Sequence, residues 1–83
     1  VLVKNMNNFV KMDVAIEILA DKMSKVTMQF YETGETAYKN EMNNLMSEKD
    51  KLYNGDLEVM DKIINVYGEE LKNEWNNDEF RRI

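Results

Sequence analysis

Tyr31-Glu32-Thr33-Gly34-Glu35-Thr36 is the stretch on which the fold turns. Glycine after a helical run takes the left-handed conformation that closes a helix, and a threonine two residues on suits the cap of the next. Read this way, one helix ends near 33 and another begins near 36. The apolar pattern nevertheless runs on in phase through Phe30, Gly34, Tyr38, Met42 and Leu45. A single helix could pass through, with Gly34 costing about 1 kcal/mol relative to alanine. We favour the break. The alternative is one helix over about 13–54 that needs a partner chain along its first half.

Upstream, Met12, Ile16, Leu19, Met23, Val26 and Phe30 recur at spacings of 4, 3, 4, 3 and 4. That is one face of an amphipathic helix. Asp13 suits its N-terminal cap, so the expected helix covers about 13–33. Residues 1–11 show little periodicity and are expected to form a mostly irregular arm, with Phe9 and Val10 as the residues that could dock on the bundle. Downstream, Tyr38, Met42, Leu45, Met46, Leu52 and Tyr53 mark a second helix over about 36–54, with Glu48 and Lys49 at polar positions. Asn54-Gly55-Asp56 closes it tightly enough to force an antiparallel pair. Leu57, Met60, Ile64, Tyr67, Leu71 and Trp75 then define a third helix over about 57–75, flanked by Val59, Ile63 and Val66. Gly68 within it reads as simply tolerated, with a close helix approach as the alternative. Residues 76–83 form a tail.

The expected architecture is therefore all-α: an antiparallel three-helix bundle in a single domain spanning 1–83. The alternative is the long helix with an antiparallel helix 57–75, dimerised.

Composition supports helix throughout. The 83 residues include no proline and three glycines, and both residue types oppose helix interiors. A chain this short has a small core that other devices often supplement. With neither cysteine nor histidine, disulfides and cysteine/histidine zinc sites are excluded, which leaves oligomerisation. Cysteine-free composition and the lack of a secretory pattern give a cytoplasmic expectation. The longest apolar stretch, 14–20, is interrupted by Glu17, so no membrane span is expected. A net charge of -5 opposes binding to nucleic-acid phosphates or to anionic membranes.

Catalytic chemistry has little to stand on. Ser24 and Ser47 are the only serines, with no imidazole to activate them. A small helical mutase acting on a di-acid would need clamping arginines, and the chain has only Arg81 and Arg82, in the tail. Asp13, Glu17 and Asp21 share one helical edge, where an ordinary solvated face is the simpler reading. Glu32-x-x-Glu35, then 22 residues, then Glu58-x-x-Asp61 resembles the acidic spacing of the all-helical nucleotide pyrophosphohydrolases. That resemblance implies a Mg²⁺-dependent enzyme whose four carboxylates hold the metal and, through it, a triphosphate. Asp50 to Asp61 resembles a calcium-binding EF-hand loop through Asp50, Asn54, Gly55, Leu57 and Asp61. It departs from that loop at Leu52, where an oxygen ligand is required, so an ordinary capped turn is expected.

The preferred functional reading is a small non-enzymatic interaction module, with no catalytic, cofactor or metal residues assigned and no small-molecule substrate. Its partner would be a second copy or another protein. Val14, Ile18, Met28, Met46, Val59 and Val66 are the candidate interface, because they are apolar and fall beside the main stripes. Regulation of nucleic-acid machinery remains a third reading.

Overall fold

The computed structural model describes residues 7–73. Three helices follow in order: α1 (Asn8–Thr33), α2 (Thr36–Tyr53) and α3, which runs as α-helix over Leu57–Lys62, as a π-helical turn over Ile63–Tyr67, and as α-helix again over 68–73. They pack as an antiparallel three-helix bundle, with α1 in contact with both others.

Gly34 settles the first junction. Its φ of 70° is left-handed, and its N–H donates back to the Phe30 carbonyl at 2.6 Å, which ends α1. The long-helix alternative is thereby excluded. Thr36 does not cap α2. Glu35 occupies the cap position without a side-chain bond, and Thr33 Oγ1 instead accepts from the Glu35 N–H at 3.2 Å.

The second junction is a complete helix stop and start. Gly55, at φ 86°, donates to the Leu52 carbonyl, and the Asp56 N–H donates to the Lys51 carbonyl, both at 3.0 Å. Asp56 Oδ1 accepts from the N–H groups of Glu58 and Val59 at 3.0 and 3.1 Å, capping α3. The EF-hand resemblance ends here. Leu52 is buried in the core and helix continues through Asp50–Tyr53, so the segment is a capped turn and not a ligand loop.

α1 starts at Asn8 rather than at about 13. Asn7 Oδ1 accepts from the Val10 N–H at 2.9 Å, so asparagine supplies the cap expected of Asp13. Periodicity hides this first turn because Phe9 and Val10 stay exposed. Residues 1–6, Trp75 and the tail 76–83 lie outside the described residues.

The core comprises Ala15, Leu19 and Val26 from α1, Leu45 and Leu52 from α2, and Met60, Ile63 and Ile64 from α3. The α1 face is centred on Ala15, Leu19 and Val26. Its two shoulders serve different neighbours: Ile16 and Met23 lie toward α2, and Ile18 lies toward α3. A helix packed on two partners needs a wide buried arc, which is why the apolar residues of α1 overflow a single stripe.

Candidate functional site

α2 carries two contrasting edges, one facing α3 and one facing α1. On the first, Leu45, Glu48 and Leu52 stand at helical spacing, so Glu48 is drawn into the bundle between two core leucines and is only 9% exposed. Burying a carboxylate requires partners. Lys62 Nζ donates to Oε2 and the Tyr67 hydroxyl donates to Oε1, the latter at 2.6 Å. Lys22 and Lys62 also lie over the Tyr67 ring, 5.6 and 5.8 Å from its centroid. Lys22 in turn pairs with Glu70 at 2.8 Å, so α1 joins the same network.

The π-turn belongs to this arrangement. Gly68 N–H reaches back to the Ile63 carbonyl, five residues earlier, which inserts one residue into the helical phase. Ile63 and Ile64 are then both buried, and Tyr67 comes round beneath Glu48. Burial first, and then the hydrogen bond to Glu48 and that group's charge, hold the Tyr67 phenol above its ordinary pKa. At neutral pH it is a protonated donor and not a nucleophile. Both Glu48 oxygens are thus engaged within the chain, which makes this edge a polar lock.

The opposite edge is apolar and open. Ile16, Leu19, Ala20 and Met23 of α1, with Lys49 and Tyr53 of α2, line a groove of about 290 Å³. That is room for one or two side chains, at the bottom of the range for small-molecule pockets. Tyr53 is 61% exposed and Met46, two turns away on the same edge of α2, is 53% exposed. Lys49 Nζ sits 5.7 Å from the Tyr53 ring centroid.

The six candidate interface residues divide. Val14, Ile18 and Val59 are half-buried and pack against the chain's own core. Met28, Met46 and Val66 are exposed. Ile18 Cδ1 lies 3.5 Å from where a Cβ on Gly68 would stand, an ordinary contact distance. Glu32, Glu35, Glu58 and Asp61 are all exposed, and no metal-holding group of three carboxylates forms among the described residues. The geometry drawn from the pyrophosphohydrolase resemblance is therefore not assembled. Asp21 pairs with Lys25 at 3.5 Å, while Asp13 and Glu17 remain on the solvent side of α1. No described helix is long and apolar enough to cross a membrane.

Glu48 and Tyr67 were legible only indirectly. A tyrosine in an apolar stripe needs a hydrogen-bond partner when buried, and Glu48, three residues after Leu45 and four before Leu52, is the α2 carboxylate that falls on the same helical face as both core leucines. No family model, curated protein or solved structure matches the chain.

Proposed function

We propose that this chain is a non-enzymatic protein–protein interaction module, acting by association and not by chemistry. The observation behind it is the open apolar edge between α1 and α2, on a bundle whose buried carboxylate is already satisfied. Isolated apolar residues on a surface are ordinary, whereas a contiguous apolar strip marks an interaction site. Met23 and Met46 suit such a surface, because thioether side chains adapt to the shape they meet. Any biological effect would then be scaffolding, inhibition or regulation through the bound protein.

The test is the native size of the chain in a gentle lysate of its source cells at endogenous level. The expected result is elution at no less than twice the mass found for the same chain after denaturation. Elution at the denatured chain's own mass contradicts the reading.

A further inference from the structure

We propose that Asn54 is a self-modifying site: its side-chain amide is lost to attack by the Gly55 backbone nitrogen, and the turn between α2 and α3 sets the rate. Among all asparagines of the chain, Asn54 alone precedes glycine. The nitrogen of the next residue can close a five-membered ring on an asparagine side chain, the chemistry that makes asparagine thermolabile. A Cβ on that next residue crowds the approach, and glycine has none. Asn54 and Gly55 are both exposed, and no atom lies within 4 Å of where a Cβ on Gly55 would stand. Asn40, Asn43 and Asn65 are exposed as well, but Glu41, Asn44 and Val66 follow them inside helices.

The Gly55 nitrogen gives its proton to a solvent base and bonds to Asn54 Cγ. The C–N bond of the side-chain amide breaks, and its nitrogen takes a proton from water and leaves as ammonia. Water then opens the resulting succinimide ring. Entry at Cγ yields aspartate with the main chain restored. Entry at the main-chain carbonyl carbon yields isoaspartate, in which the chain runs through the former side chain and is one methylene longer. The sum is one water consumed and one ammonia released, with no change of oxidation state. Either product places a carboxylate at the C-terminal end of α2, where the helix dipole is negative, and adds one negative charge to the chain's net -5.

The fold holds the reacting atoms apart. Asn54 has ψ 3°, which turns the Gly55 nitrogen toward Asn54's own nitrogen and away from its Cβ. Ring closure needs the Gly55 nitrogen on the Cβ side. The proton that must leave is also engaged, since Gly55 N–H donates to the Leu52 carbonyl at 3.0 Å. Asp56 N–H donates to the Lys51 carbonyl at 3.0 Å. Rotation about Asn54 breaks both bonds, so conversion proceeds from a locally opened turn. Asp56 Oδ1 holds the far side of that turn through the N–H groups of Glu58 and Val59. Isoaspartate cannot restore both backbone bonds, because its main chain is longer between Lys51 and Asp56. The α2–α3 hairpin is then loosened, and with it the Tyr67–Glu48 bond across the two helices.

The experiment follows the purified full chain at mildly alkaline pH by peptide mapping and mass spectrometry, in native buffer and in concentrated urea. Fragment ions tell isoaspartate from aspartate. Asn54 is expected to be the first asparagine to gain about one dalton, with both isomers appearing. Its native rate is expected to be at least about tenfold below its rate in urea. Asp56→Ala is expected to raise the native rate at least about threefold and to leave the urea rate within about twofold. Asp56→Asn keeps a capping oxygen and is expected to hold the native rate within about twofold of wild type. Gly55→Ala is expected to slow conversion at least about tenfold in urea, where backbone strain in the folded turn plays no part. The isolated isoaspartate form is expected to melt below the unmodified chain.

Conversion of any other asparagine ahead of Asn54 in urea, or a Gly55→Ala rate equal to wild type there, overturns the site. Equal wild-type rates in native buffer and urea overturn the control by the turn, as does a folded Asp56→Ala that converts no faster than Asp56→Asn. Should Asp56→Ala lose its helix content by circular dichroism, the wild-type comparison alone decides that point. An isoaspartate form that melts with the unmodified chain overturns the loosening of the hairpin.

Discussion

The two edges of α2 put the same helix to opposite uses. Toward α3, a buried glutamate is held by a lysine and a tyrosine, and the helix opposite inserts a residue to bring that tyrosine into place. Toward α1, apolar side chains meet at the bottom of the seam and leave its upper part open. Polar groups that are satisfied internally specify how helices pack, while apolar groups left open favour something yet to be bound. The difference separates what holds the bundle together from what it presents outward, and substitutions on the two edges should behave accordingly.

The largest effect belongs to the core beneath both edges. Ile63→Ala removes a side chain with no exposure and should lower unfolding free energy by about 3 kcal/mol, read by urea denaturation. Glu48→Ala comes next, at about 2 kcal/mol, since it leaves the Tyr67 hydroxyl without its acceptor. Ala20→Glu on the other edge should change the chain's own stability by less than about 0.5 kcal/mol while breaking the native complex of the lysate experiment. That pair of results would separate lock from groove directly.

Tyr67→Phe should cost about 1 kcal/mol near neutral pH, because the bond to a carboxylate is lost at a partly exposed site. Its pH dependence has a fixed sign. The folded-state pKa is raised, so the stabilisation is fully present below the ordinary tyrosine value of about 10 and is lost as pH rises through the folded value. Wild type should therefore lose stability more steeply than Tyr67→Phe above about pH 10, in thermal melts across the alkaline range.

The smallest pair concerns glycines. Gly34→Ala forces a Cβ into left-handed backbone and should destabilise by about 1 kcal/mol. Gly68→Ala should stabilise by about 0.5 kcal/mol, since Gly68 has helical φ and its added Cβ would meet Ile18 at ordinary contact distance. Opposite signs from one substitution type, read as melting temperatures, would confirm that one glycine stops a helix and the other merely sits in one.

Helix number, both turns and most core positions were legible from the sequence because they depend on local signals. Gly34 and Gly55 each did what a glycine after an apolar run does, and Asp56 capped as its position implied. The start of α1 was misplaced because its cap, Asn7, precedes a turn whose apolar residues stay exposed. The lock was missed for a different reason. A π-turn has no periodic signature, and Glu48 looks like any surface glutamate until α3 is placed beside it. The six candidate interface residues comprise two populations. Sequence spacing marks residues off one stripe, yet a helix with two neighbours buries Val14 and Ile18 on its second shoulder.

The most direct test of the interaction module is a titration of the labelled full chain with a lysate of its source cells, followed by amide chemical shifts. Concentration-dependent shifts are expected at Ile16, Ala20, Met23, Met46, Lys49 and Tyr53, with little change at Glu48, Lys62 and Tyr67. Shifts concentrated at Met28, Val66 or the Glu48 lock, or no concentration dependence at all, would contradict it.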